Sequence, residues 1–340
     1  MEGSTKFTAV VTDGGKAALV EQEKRPLQEG EVLIRVEASP VNPSDRYMAA
    51  GAYGVKKLMS EGPQGLGFDG SGVVIEAHES VDSSLVGKTV SFFEDPHIKG
   101  YQGSWRQFLY KKSTDILVFD EGVKPIDCFG TFVNPMTALA IIDFTKKNGH
   151  KALVHAAAAS NLGKMLVKVA KNEGIPLINI VRRTEQVEAL ENIGAEHVLN
   201  STSETFEEDL EKLAETLNVT AFFDPIGADF TAKVLDRLPN GSTAYIYGGL
   251  GGAPISIGGT SFIFFNKKVQ GLWLGPWLDS LTTAEREAVY QQVIDDLSKG
   301  GEIFGSKVLE TYPITKFKEA INAAEGVASD GKLVINPQLS

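Results

Sequence analysis

The stretch that most constrains this chain runs from Lys151 to Thr184, KALVHAAAASNLGKMLVKVAKNEGIPLINIVRRT. Lys151 to His155 reads as a short buried strand, Ala156 to Asn161 as a tight connection of small residues, and Leu162 to Asn172 as a helix. Leu162, Leu166, Val169 and Ala170 recur in it at helical spacing. Leu177 to Val181 is a second apolar strand. Strand, small-residue turn, helix and strand make a βαβ unit, and its first turn aims backbone N–H groups and the positive end of a helix dipole at one place. An anion such as a pyrophosphate fits there.

Of the usual G-x-G-x-x-G pattern only the last position, Gly163, survives, and Asn161 stands in the stretch that has lost its glycines. Asn is the residue other than glycine that best tolerates a left-handed backbone, and alanines still let a ligand approach the main chain closely. At the end of the second strand, where an NAD site usually carries an acidic residue for the ribose 2′-hydroxyl, this chain has Arg182 and Arg183. Two cations there suit a 2′-phosphate, which favours NADPH over NADH. The structural alternatives are an ordinary βαβ crossover and a solvated basic pair.

At 340 residues the chain is long enough for two cores. Its formal net charge of −11 opposes a broad nucleic-acid or anionic-membrane surface. A single cysteine, Cys128, excludes an internal disulfide and a cysteine-rich zinc lobe. No stretch approaches the ~20 apolar residues of a membrane span, so a cytoplasmic location is the default expectation.

Strand-like segments open the chain at Thr8 to Val11, Glu31 to Ala38, Gly72 to Glu76, Thr89 to Phe93 and Trp105 to Tyr110, with Asp13-Gly14-Gly15 as a turn. From about Pro125 strands alternate with helices: Lys151–His155, Leu177–Val181, His197–Leu199, Ala221–Asp224, Thr243–Tyr247 and Val269–Leu274. The acidic helix near Glu204 to Leu217 reads as a solvated face. Helices at Thr283 to Ser298 and Ile314 to Glu325 bracket a strand near Lys307 to Thr311, and Gly331 to Asn336 closes the chain. This order suggests that the tail returns to the first domain and that a cofactor crevice lies between two domains.

The layout, with VNPSDRYMAAGAYG, GFDGSGVV, NPMTA, the alanine-rich turn and YGGL, resembles the medium-chain dehydrogenase/reductase superfamily over essentially the whole chain. Within it the chain is most similar to the zinc-free quinone oxidoreductases and the mitochondrial-type 2-enoyl thioester reductases. INIVRRTEQVEALENIGAEHVLN and YGGLGGAP followed by VQGLWLGPW look more like the latter. The resemblance implies an α/β fold, with a β-rich GroES-like catalytic domain (1–124 and 275–340) and a doubly wound Rossmann cofactor domain (125–274). It also implies an NADPH-dependent oxidoreductase.

Zinc-dependent alcohol dehydrogenases of the superfamily hold their metal with a cysteine after an early strand and a histidine in G-H-E. Here those places read Val41-Asn42-Pro43-Ser44-Asp45 and Gly67-Phe68-Asp69, without thiolate or imidazole, so no zinc is expected. An enzyme without that Lewis acid suits reduction of a carbon–carbon double bond activated by a carbonyl, as in an enone or enoyl thioester. Hydride goes to the β-carbon and a proton to the α-carbon. Quinone reduction is the alternative, and a non-catalytic NADPH-binding sensor or structural protein is a reading from another class.

The resemblance places Tyr53, in Gly51-Ala52-Tyr53-Gly54, as proton donor; a semi-exposed loop aromatic is its structural alternative, and Tyr47 is a second candidate donor. Asn42 and Asp45 bond the nicotinamide ribose or cap a turn. Asn134 and Thr137 look like contacts on the nicotinamide side, although a helix N-terminus with Pro135 in its first turn accounts for the same residues. Ser160, Asn161, Leu162 and Gly163 fall at the pyrophosphate, and Arg182, Arg183 and Thr184 at the 2′-phosphate. Tyr247, Gly248, Gly249 and Leu250 fall beside the nicotinamide, Leu272, Trp273 and Leu274 line its far side, and Lys332 approaches from the tail. Trp273 reads equally as core, and His155 as a satisfied structural histidine. Lys56, Lys57 and Lys99 are too few to mark a coenzyme A or acyl-carrier rim. The apolar edge strand Val269 to Leu274 predicts a homodimer, because an unpaired edge is a liability in a monomer.

Overall fold

In the computed structural model, residues 5–13, 15–51, 63–96, 101–327 and 329–339 are described. The chain divides into two compact units, Met1–Pro135 with Ala284–Ser340, and Met136–Thr283. The sequence-based boundaries, 124/125 and 274/275, fall about ten residues early at each crossing, because a continuous helix and not a loop spans each passage.

Unit 1 is built from β1 (Lys6–Thr12), β2 (Ala17–Glu23), β3 (Glu31–Pro40), helix α1 (Pro43–Ala49), β4 (Gln64–Gly65), β5 (Asp69–Ala77), β6 (Thr89–Phe93), β7 (Phe108–Lys112) and β8 (Ile116–Val118). β2, β1 and β4 form a small sheet. The tail strands β15 (Val308–Pro313) and β16 (Lys332–Asn336) join the larger one in the order β15-β16-β3-β5-β6-β8, with β7 on β3. β16 runs antiparallel to β3, pairing Val334 with Pro40, so the tail does return to the first unit. Alternation along β3 buries Val32, Ile34 and Val36 against Val74, Val90, Phe92 and Leu109. Sequence reading missed β2, β8 and α1, and placed a strand over Trp105–Tyr110 that starts only at Phe108; Trp105 is instead fully buried in a second apolar cluster.

Unit 2 alternates strand and helix. After α2 (Val133–Lys147), which crosses into it, come β9 (Leu153–His155), α3 (Asn161–Asn172), β10 (Leu177–Val181), α4 (Thr184–Glu191), β11 (His197–Asn200), α5 (Phe206–Leu217) and β12 (Ala221–Asp224). α6 (Ala228–Leu235), β13 (Thr243–Ile246), α7 (Gly259–Ile263), β14 (Lys268–Gly271) and α8 (Leu274–Ser280) complete it; α9 (Thr283–Ser298) and α10 (Phe317–Ala323) lead through the tail. The six strands are all parallel in the order β11-β10-β9-β12-β13-β14. Chain direction across the sheet therefore reverses between β9 and β12, the doubly wound Rossmann arrangement, in which ligands bind beyond the carboxyl ends of the strands at that reversal. Ala152, Val154, Ile178, Ile180, Phe222 and Ala244 make the sheet's part of one buried core, which Phe206, Leu210 and Val234 cover. Each buried Leu, Val or Phe contributes about 1.5–3 kcal/mol.

Candidate functional site

The turn after β9 is tied down from both sides: Ala156 N–H donates to Phe223 O at 3.3 Å and Ala158 N–H to Ile180 O at 3.1 Å. Ala157 takes the left-handed conformation at φ 51°. The sequence argument had reserved that conformation for Asn161, but Ser160 caps α3, its Oγ accepting Gly163 N–H at 3.2 Å, so Asn161 becomes the first helical residue. A methyl group on Gly163 would sit 2.1 Å from Ala158 O, closer than any real contact, so only glycine lets helix and turn approach this closely. The N-terminus of α3 thus faces the carboxyl end of β9 with its first N–H groups pointing outward.

At the end of β10, Arg182 and Arg183 are both exposed. Arg183 Nε lies 3.2 Å from Glu185 Oε1 in a pair more than half exposed on each side, worth about 0–1 kcal/mol and easily exchanged for a stronger anion. Thr184 opens α4. After β13, Tyr247 N–H donates to Asp224 O and Leu250 N–H to Pro225 O, drawing Gly248 so close that a methyl there would lie 2.7 Å from Pro225 O. Asp224 is wholly buried; its carboxylate accepts from Ile226 N–H (2.7 Å), Gly227 N–H (3.1 Å) and Thr231 Oγ1 (2.6 Å), which fixes this loop from below.

In unit 1, Asn42 caps α1 and is 1% exposed. Asp45, three residues on, accepts Asn42 N–H at 2.7 Å through Oδ2 and Phe68 N–H at 3.0 Å through Oδ1. Lys332 Nζ donates to Asn42 Oδ1. Asp69 accepts Val133 N–H at 2.8 Å and Phe132 N–H at 3.2 Å, and so caps α2 from another strand. Burial pushes the Asp45 carboxyl up to about 7 and Asp69 to about 8, and pushes Lys332 down to about 8. The opposite charges of the three oppose those shifts at Asp45 and Lys332.

Two family models match this chain: one described as alcohol dehydrogenase GroES-like domain over residues 28–117, and one described as zinc-binding dehydrogenase over residues 162–299. The mitochondrial enoyl-[acyl-carrier-protein] reductase of Arabidopsis thaliana is 27% identical over 94% of this chain and 87% of its own. That of Dictyostelium discoideum is 25% identical over 91% and 87%. The crystal structure of a putative NADPH:quinone reductase from Mesorhizobium loti superposes with a TM-score of 0.83 at 28% identity, covering 99% of this chain and 100% of that one. The chain belongs to the medium-chain dehydrogenase/reductase superfamily. It is an oxidoreductase.

Neither of the two places where zinc-dependent members of the superfamily present ligands fits a zinc ion in this medium-chain dehydrogenase/reductase. Phe68 packs into the apolar cluster around Trp105, while the neighbouring Asp45 and Asp69 carboxylates are taken up by backbone N–H groups. Among the described residues no group of three or more His, Cys, Asp or Glu side chains is placed to share a metal.

Ser160, Asn161, Leu162, Gly163, Arg182, Arg183, Thr184, Tyr247, Gly248, Gly249 and Leu250 all gather at the carboxyl ends of β9, β10 and β13. Asn42 and Lys332 meet in unit 1. Asn134 lies in the first turn of α2 beside Pro135, and Thr137 is buried one turn on, so the helix-start account of that motif holds structurally. β14 runs Lys268–Gly271, so it overlaps the expected Val269–Leu274 strand but stops short of Leu272. Leu272 and Leu274 are buried, while Trp273 is 43% exposed and is not core. Tyr47 is half-buried on α1. Tyr53, Lys56, Lys57 and Lys99 lie outside the described residues. Sequence reasoning did not find the buried carboxylates of Asp69 and Asp224 as builders of the site, nor the pairing of His155 with Tyr247, whose Nε2 and Oη are 2.6 Å apart. A contact between residues 92 positions apart leaves no periodic signal.

Proposed function

We propose that this protein is an NADPH-dependent, zinc-independent reductase of carbon–carbon double bonds conjugated to a carbonyl, such as enones or enoyl thioesters. The observation that carries the reading is the union, at adjacent strand ends of one Rossmann sheet, of the Ser160-capped helix start with the exposed Arg182–Arg183 pair. The helix N-terminus takes the pyrophosphate, the arginines take a 2′-phosphate, and Gly163 and Gly248 let the turns that carry the site pack against Ala158 and Pro225. The enoyl reductases and the NADPH:quinone reductase to which the chain is similar support both cofactor and reaction class.

Bound NADPH supplies a hydride for the electron-poor β-carbon. The protein's own tasks are to orient the acceptor, to stabilise the charge that gathers on the carbonyl oxygen, and to deliver a proton to the α-carbon. Tyr53 is the proposed donor, with Tyr47 in reserve; a phenol with a pKa of about 10 keeps its proton at neutral pH. Asn42, its Oδ1 held by Lys332, keeps its amide N–H for a hydrogen bond to a ligand.

Quinone reduction is the second reading, favoured by the 28% identity with the Mesorhizobium loti protein. NADPH oxidation measured against short and long enoyl thioesters, simple enones and quinones separates the two. The reductase reading expects enone or enoyl turnover that Tyr53→Phe lowers by about a hundredfold, in line with general-acid contributions, with NADPH affinity kept. Turnover of quinones alone, indifferent to Tyr53→Phe, assigns the second reading.

The four residues of β14 are all exposed at the sheet edge, and Ile263 and Phe264 nearby are each 74% exposed. An open edge with exposed apolar side chains beside it favours a homodimer in which two copies of β14 pair.

A further inference from the structure

Two histidine–tyrosine pairs lie at opposite ends of β9. On the amino side His150 has both ring nitrogens engaged: Nδ1 is 2.7 Å from Thr220 Oγ1 and Nε2 is 2.9 Å from Tyr245 Oη. On the carboxyl side His155 differs. Its Nε2 is 2.6 Å from Tyr247 Oη, but Nδ1, in a ring with no exposed surface, has no hydrogen-bond partner among the described residues. Burial pushes the His155 imidazole down to about 3 and the Tyr247 phenol well above its ordinary value, so at neutral pH both rings are uncharged.

A neutral imidazole carries one N–H, and its position decides where the tyrosine proton can point. With the proton on Nδ1, a buried donor goes unmade and the phenol O–H is used up on Nε2. With the proton on Nε2, the orphan is a lone pair, the cheaper of the two to leave buried, and Nε2–H donates to Tyr247 Oη. The phenol proton is then left for a second acceptor. Tyr247 follows β13 at its carboxyl end, with β12 between it and β9 where the strand order reverses. Next to it Gly249 is exposed, and nothing stands within 4 Å of where a Cβ would be.

We propose that His155 is a positioning residue whose Nε2–H tautomer holds Tyr247 Oη and turns the phenol proton toward an acceptor oxygen of the bound dinucleotide. The assignment rests on the NADPH reading above, but its tautomer is a property of the ligand-free protein. Long-range 1H–15N correlation spectra of protein labelled in its five histidines, with His155 assigned by its loss in His155→Gln, should show the proton on Nε2. A proton on Nδ1 overturns the proposal.

The second arm is NADPH titration by fluorescence. Tyr247→Phe should weaken binding by about three- to tenfold, the worth of one neutral hydrogen bond. His155→Leu should match it. His155→Gln, whose amide N–H can take the place of Nε2–H, should stay within about twofold of wild type, a rescue that a merely space-filling role for His155 would not produce. Unchanged affinity in Tyr247→Phe, or a glutamine variant as weak as the leucine one, overturns the proposal. Wild-type protein that has the Nε2 proton yet takes up no NADPH overturns the cofactor reading and the ligand half of this one together, whereas an Nδ1 proton in protein that binds NADPH overturns this one alone.

Discussion

Lys332 Nζ donates to Asn42 Oδ1 across 290 positions of sequence, joining the first residue of the last strand to the cap of the first helix. The bond fixes which end of the Asn42 amide points inward, and Asn42 Nδ2 has no protein partner among the described residues. Lys332 is also the cation whose charge offsets Asp45 and Asp69.

Lys332→Met should therefore destabilise unit 1, by about 2–4 kcal/mol at pH 8, as removal of one member of a buried charge cluster does. Asp45 and Asp69 have folded pKa values raised above the unfolded value, so their stabilising contribution is complete below about pH 4 and disappears as pH rises through about 7 to 8. Without the lysine both rise further, and the loss should be smaller at pH 5 than at pH 8. Urea denaturation at the two pH values checks it; equal losses would place the lysine's role outside this cluster.

Gly163→Ala puts a methyl group 2.1 Å from Ala158 O, and neither helix nor turn can yield without breaking the Ala158–Ile180 hydrogen bond. Stability should fall by about 1–3 kcal/mol and NADPH affinity by at least about tenfold. Calorimetry with a fluorescence titration reads both; an alanine variant that binds as wild type would disprove the close approach.

His155 bears on acid stability. Its folded pKa is depressed, so the unfolded chain takes up a proton below about 6.5 that the folded protein refuses, and stability present above that pH is lost as pH falls toward 3. Between pH 6 and pH 4, wild type should lose about 1.4 kcal/mol per pH unit more than His155→Gln. Denaturation curves of the two proteins across that range should diverge; parallel curves would mean the imidazole accepts its proton inside the fold.

Much of this was legible before the structure. β10 and β12 are mainly apolar and buried along their whole length, and their limits match the sequence reading to the residue. α3 announces itself by its buried stripe and by Ser160 three residues before Gly163. The elements that escaped are those in which the apolar pattern is weak. β2 has no buried residue, because it pairs with β1 alone and shows solvent most of its length. α1 is seven residues long, too short for periodicity, although Pro43 and the Asn42–Asp45 cap were visible signals. At the site, residues contiguous in sequence were found as groups, whereas Asp69 on α2, and His155 on Tyr247, are products of tertiary pairing that one chain read linearly does not display.

The exposed β14 edge gives a prediction on assembly. Val269→Asp puts a charge where two copies would pair, and light scattering at micromolar concentration should show wild type as a dimer and the variant as a monomer. Monomeric wild type would remove the dimer proposal.

The double variant Arg182→Ala, Arg183→Ala tests the phosphorylated-cofactor site most directly. Two charge-assisted contacts at ~1.5–3 kcal/mol each imply that NADPH affinity falls by roughly a hundredfold or more, while NADH affinity, measured alongside by fluorescence titration, stays within about threefold. Equal losses for the two nucleotides, or no loss for either, would contradict the placement of a 2′-phosphate at the end of β10.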